Sequence, residues 1–201
     1  MTLTTKCCQI DIEKLFEGGF STGHGFLREP NDIQSYSALA CIAIQSNQND
    51  QHGGQSIPNF EYGMAKGVEK TYRKLYLNNV AKALEILTGK GDCRETVFHT
   101  ADKIYETYGI KPVLSDQNDY RKREKEILGP AYGEDMVDKA SEFGRKTAPA
   151  ETDKACYQAM EAFVHNLNTM PVSYTHLDRD HSKHQRLNSQ AAFRRTEDGC
   201  H

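Results

Sequence analysis

From Ile33 to Gln45 the chain reads IQSYSALACIAIQ, with no charged residue and with apolar or small residues at nearly every position. A helix that is apolar almost all round must be buried. A 201-residue chain has little room to bury it fully alone, so the segment predicts a larger body or a partner. Ser35, Ser37, Ala38, Ala40, Cys41 and Ala43 are small enough for another helix to approach closely. Pro30-Asn31-Asp32 supplies the helix start, with Asn31 or Asp32 as its cap.

The flanking sequence has a different texture on each side. Cys8, Ile10 and Ile12 alternate with Cys7, Gln9 and Asp11, which predicts a short strand. Gly18-Gly19 and Gly23-His24-Gly25 mark turns, the second a hairpin turn. It lacks both the G-x-G-x-x-G spacing and the lysine of a phosphate loop. After the polar stretch 45–56, a long amphipathic helix is predicted over 59–87, locally weakened by Gly63 and Gly67 and ended by Gly89 and Gly91. Shorter helices are predicted at 94–107, 119–128 and 132–145. A further helix at 151–168 carries the stripe Cys156, Ala159, Met160, Phe163, Val164 and Leu167.

Composition narrows the function classes. The 25 basic and 28 acidic residues give a net charge of −3, so no overall polycation is offered to nucleic acid. No window has the apolar length of a membrane span, and the first residues lack a signal-peptide core. Six cysteines, irregularly spaced, are too few for a disulfide scaffold in a chain this long. The expected setting is cytoplasmic, with no nucleic-acid or membrane partner. Cys93 and Cys156 have no partners at metal-ligand spacing, Cys41 reads as packing, and no metal site is predicted.

Four motifs occur in a fixed order. They are Cys7-Cys8 followed by Ile10-Asp11, the Pro30-Asn31-Asp32-Ile33 helix start, the loop Gln51-His52-Gly53-Gly54-Gln55-Ser56-Ile57-Pro58, and YQAMEAFVHNLNTM over 157–170. Each is weak alone. Together, over about residues 5–170, the chain resembles the anaerobic (class III) ribonucleoside-triphosphate reductases, a glycyl-radical family. The resemblance implies an α/β fold, the opening part of a ten-stranded barrel, mostly helical in the part present. It implies reduction of ribonucleoside triphosphates to deoxyribonucleoside triphosphates for DNA synthesis, by glycyl and thiyl radical chemistry. The implied partners are the ribonucleoside triphosphate, deoxynucleotide or ATP effectors, a radical-SAM activating enzyme, and a second copy docked through the 33–47 helix. No cofactor is expected in these residues. The family stores its radical on a carboxyl-terminal glycine, draws electrons from formate or a thiol, and holds a structural zinc near its carboxyl end.

The resemblance places a catalytic cysteine on the strand carrying Cys7 and Cys8. Adjacent strand residues face opposite ways, so at most one thiol points into a barrel. Cys7 shares parity with Gln9 and Asp11, which suits a polar interior, and is preferred. Cys8 shares parity with Ile10 and Ile12, which suits packing against helices, and is the alternate. The plain structural reading makes both small core residues. Gln51, His52, Gly53, Gly54 and Gln55 are expected to contact the effector. Amides suit base edges, and paired glycines let backbone N–H groups approach a phosphate. The competing reading is an amide-capped turn that binds nothing.

Departures from the family are equally plain. No counterpart of the glycyl segment, the thiyl-cysteine loop or the paired Cys-x-x-Cys zinc motifs occurs in the 201 residues. The expectation is therefore a piece, 1–170, that is inactive and loosely packed by itself. Residues 171–201 form a separate tail, and Val172–Leu177 back-translates to a sequence resembling a transposon end used in DNA library preparation. The tail is read as an artefact, with a genuine disordered extension as the alternative; the artefact reading would empty its four histidines (176, 181, 184 and 201) of meaning. Two alternatives stay open: a dimerisation or effector-binding module, and a gene fragment with no selected function.

Overall fold

The computed structural model describes residues 7–22, 25–48, 54–115 and 118–169. The predicted tail, 171–201, lies outside the described residues. The elements run β1 (Cys8–Gln9), α1 (Ile12–Phe16), β2 (Phe20–Thr22), β3 (Gly25–Leu27), α2 (Ile33–Gln48), β4 (Gln55–Ser56), α3 (Phe60–Thr88), α4 (Cys93–Tyr108), α5 (Asn118–Tyr132) and α6 (Glu134–Thr169). The described residues are mostly helical, as expected. They form two compact units. One comprises residues up to 67 together with those from 157 onward; the other comprises 68–156.

In the first unit the strand predicted to run to Ile12 ends at Gln9. The physical reason lies in Asp11. Its carboxylate accepts from the Lys14 N–H at 3.3 Å and starts α1, so Ile12 is buried from a helix rather than from a strand. β2 and β3 pair antiparallel, Phe20 opposite Leu27, around the predicted hairpin turn; residues 23 and 24 lie outside the described residues. β1 and β4 pair parallel, Cys8 opposite Gln55 and Gln9 opposite Ser56, with α2 in the crossover between them.

Asp32, rather than Asn31, starts α2. Its carboxylate accepts from the Ser35 N–H at 2.9 Å, and the Ser35 hydroxyl oxygen accepts from the Asp32 N–H at 3.1 Å. This reciprocal pair satisfies two otherwise orphaned donors. Tyr36, Ser37, Leu39, Ala40, Cys41 and Ala43 are buried. Much of that burial comes from within the chain. The Ser37 hydroxyl donates to the Ala159 carbonyl at 2.8 Å, and the Cys41 thiol reaches the Phe163 carbonyl at 3.7 Å, so the final turns of α6 fill the groove that the small residues open. Phe163 in turn packs on Phe60, ring centroids 5.3 Å apart.

Gly63 and Gly67 are not weaknesses of α3. A Cβ at Gly63 would lie 2.5 Å from two side-chain carbons of Ile12, and one at Gly67 would lie 2.9 Å from the Tyr36 ring. The two glycines let α1 and α2 sit directly on the α3 backbone.

The second unit is a helical core built on Tyr76, Leu77, Val80, Leu84, Val97, Ile104, Leu128 and Val137. The Cys93 N–H at the start of α4 donates to Glu85 Oε1 at 3.0 Å, so a carboxylate of α3 replaces the missing side-chain cap. The helices predicted at 132–145 and 151–168 are one helix of 36 residues that passes through Pro149. An interior proline removes a backbone bond at a cost of about 3 kcal/mol. Fully buried Ala148 and nearly fully buried Thr152 lie on either side of it, so the helix is held by packing through the proline.

Candidate functional site

Cys8 opens β1 of the two-stranded parallel sheet, and Cys7 directly precedes the strand. Backbone bonds fix its register: Cys8 N–H to the Gly54 carbonyl at 3.2 Å, and Ile10 N–H to the Ser56 carbonyl at 2.8 Å. Strand parity then divides the side chains. On one face lies α2. There the Asn47 side-chain amide donates both to Cys8 Sγ and, at 3.2 Å, to Gln55 Oε1, while Gln55 Nε2 donates to the Ile44 carbonyl at 3.1 Å. Cys8 is half-buried by this amide clamp and Ile10 is buried beyond it.

The opposite face is open. Cys7 is exposed, and so are Gln9 and Ser56. Neither the Gln9 nor the Ser56 side chain makes a hydrogen bond or ion pair among the described residues. The two neighbouring thiols therefore lie in different chemical settings. Cys8 accepts from an amide against a helix, and Cys7 faces outward in a row of uncommitted polar groups.

Of the five residues expected to contact an effector, Gln51, His52 and Gly53 lie outside the described residues. Gly54 and Gln55 are described. Gly54 gives its carbonyl to Cys8, and Gln55 has both ends of its amide tied to α2. The loop is thus joined directly to the cysteine strand, a link local sequence could not reveal because β4 is only two residues long.

The second unit holds polar features that the sequence did not mark. Glu124 is fully buried, and its Oε2 accepts from the Tyr76 and Ser141 hydroxyls at 2.7 Å each. Its Oε1 has no partner among the described residues. Burial pushes the Glu124 carboxyl above its ordinary range, opposed by the two hydroxyl donors and by Arg121. The same burial raises the Tyr76 and Tyr120 phenols. Beside this cluster lies a cavity of about 210 Å³, lined by residues including Tyr72, Leu114, Tyr120, Arg121 and Arg145. Both arginines are paired with Glu142, Arg145 more closely, at 3.1 Å. One carboxylate is thus shared between the two guanidiniums, and Lys146 approaches it as well.

Among the described residues no group of three His, Cys, Asp or Glu side chains could hold a metal ion. No helix among them is long and apolar enough to cross a membrane. The family model described as anaerobic ribonucleoside-triphosphate reductase matches residues 1–176. No curated protein matches the chain.

Proposed function

The chain belongs to the anaerobic ribonucleoside-triphosphate reductase family, and from that premise we propose that its residues form the cysteine-bearing opening of a barrel that reduces ribonucleoside triphosphates to deoxyribonucleoside triphosphates. The observation that carries the reading is a parallel strand pair covered on one face by a helix, to which Cys8 is clamped, with Cys7 exposed where the chain enters it. Parallel sheets are normally covered by their crossover helices. A strand of a larger α/β barrel would turn its helix-facing residues to α2 and its other residues to the lumen. Cys7 is then the thiol on the reaction side, and Cys8 is a fixed packing residue.

The family's glycyl radical supplies the one-electron start that homolytic C–H cleavage needs. The part left to this segment is reductive: Cys7 presents a thiol to the ribose and takes part in removal of the 2′-hydroxyl. The polar lumen face around it orients the sugar. Gln51, His52 and Gly53 are proposed to meet the effector, while Gln55 anchors their loop to α2. A second copy is proposed to dock on what α2 leaves outward, including exposed Ala38. The 201 residues by themselves are proposed to be inactive, since they contain no counterpart of the glycyl segment.

The test is deoxynucleotide formation under anaerobic conditions by an activated full-length reductase of the family that carries these residues as its own opening segment. Cys7→Ser is expected to abolish product and Cys8→Ser to retain it. Full turnover by Cys7→Ser would refute the assignment.

A further inference from the structure

The open face of the β1–β4 pair carries more than a thiol. Gln9 and Ser56 are register partners, so their side chains stand side by side on one face, about 4.8 Å apart at the backbone. Cys7 lies just before β1, two residues ahead of Gln9, and an extended backbone there sets it on the same side, about 6.6 Å away. All three are exposed. The opposite face differs sharply: Asn47 and Gln55 both have their amides engaged there, and Cys8 accepts from one of them. Polar side chains toward α2 are used for structure, while Gln9 and Ser56 bind nothing among the described residues. Both sit on a strand pair whose backbone is fixed from behind.

The chemistry of the row narrows what it can hold. An amide offers donors and an acceptor, and a hydroxyl offers both. Neither is charged. A phosphate chain calls for cations or clustered backbone N–H groups, which this row lacks. A neutral, hydroxyl-rich group fits it. Resting on the reading of Cys7 as the reaction-side thiol, we propose that Gln9 and Ser56 contact the substrate directly, holding the ribose hydroxyls of the ribonucleoside triphosphate beside Cys7. The sugar then lies across two strands.

The experiment is steady-state kinetics of the same full-length reductase, its opening segment carrying Gln9→Ala, Ser56→Ala, or Cys7→Ser, with melting temperatures recorded for each. A lost hydrogen bond to a neutral group is worth about 1 kcal/mol, so each alanine variant is expected to lower kcat/KM about fivefold, chiefly through KM. The melting temperature should not change, because neither side chain supports the fold. Gln9→Asn, which keeps the amide one methylene shorter, should recover part of the loss. If both alanine variants stay within about twofold of the parent while Cys7→Ser is inactive, the substrate contact is overturned and the thiol assignment stands. If Cys7→Ser turns over normally, the underlying reading fails, whatever the alanine variants do.

Discussion

Replacing Gly63 by alanine would ordinarily strengthen a helix. Alanine in a helix interior is favoured over glycine by about 1 kcal/mol. In α3 the new methyl would meet Ile12 Cδ1 and Cγ1 at 2.5 Å, closer than side chains tolerate, and Ile12 is only 2% exposed, so it has nowhere to move. Overpacking of this kind costs about 1–3 kcal/mol. Subtracting the propensity gain leaves Gly63→Ala between neutral and about 2 kcal/mol destabilising, opposite in sign to what propensity alone predicts. Ile12→Val removes Cδ1, one of the two clashing atoms, and alone costs about 0.5–1.5 kcal/mol. The double variant should therefore be more stable than the sum of the single changes by about 1 kcal/mol. Gly91 serves as control, since a Cβ there meets nothing within 4 Å, and Gly91→Ala should be neutral or slightly stabilising. Urea denaturation followed by circular dichroism measures all four. A stabilised Gly63→Ala, or strict additivity with Ile12→Val, would refute the close approach of α1 to α3.

Other perturbations have equally definite signs. Asp32→Ala removes the α2 cap and should cost about 0.5–2 kcal/mol in urea denaturation, with Asp32→Asn losing much less. Asn47→Ala breaks the donations to Cys8 and Gln55, should cost about 1–3 kcal/mol, and should speed alkylation of Cys8 measured by mass spectrometry. Glu124 has its folded-state pKa raised above 4.5. Its contribution is therefore fully present below the ordinary carboxyl range and is lost as pH rises through the folded pKa. The groups facing it are Tyr76 from α3, Tyr120 and Arg121 from α5, and Ser141 from α6. Glu124→Gln keeps the shape without the charge and should flatten that decline in melts at stepped pH, whereas a profile identical to the parent's would contradict a buried, titrating carboxyl.

How much the sequence reveals depends on whether the deciding interaction is local. The start of α2 and the end of α3 follow from residues at the helix ends, Asp32 with Ser35 and Gly89 with Glu85, so they are legible. The short α1 is hidden because Asp11 serves two patterns at once, an alternating polar position and a helix cap. Pro149 misleads for a similar reason: its local rule says break, but buried neighbours on both sides override it. The role of Gly63 and Gly67 belongs to Ile12 and Tyr36, tens of residues earlier, and no local pattern announces it.

The candidate site divides along the same line. That Cys7 and Cys8 must diverge follows from strand geometry alone. Which partner holds each does not, because the Asn47–Gln55 clamp depends on a two-residue strand paired across 46 intervening residues, from Cys8 to Gln55. The Glu124 cluster was invisible because Glu124 stands in the run Arg121-Lys122-Arg123-Glu124-Lys125-Glu126, which reads as a solvated face. Only the packing of α3 and α6 singles it out.

Thiol reactivity tests the central claim most directly, since everything proposed for the site follows from Cys8 turning to α2 while Cys7, just before β1, stays exposed. Iodoacetamide labelling of the Cys7→Ser and Cys8→Ser proteins, followed by tandem mass spectrometry of the amino-terminal peptide, gives the rate at each remaining sulfur. The structure predicts that Cys7, in the Cys8→Ser protein, alkylates several-fold faster than Cys8 does in the other. Equal rates, or a faster Cys8, would contradict it.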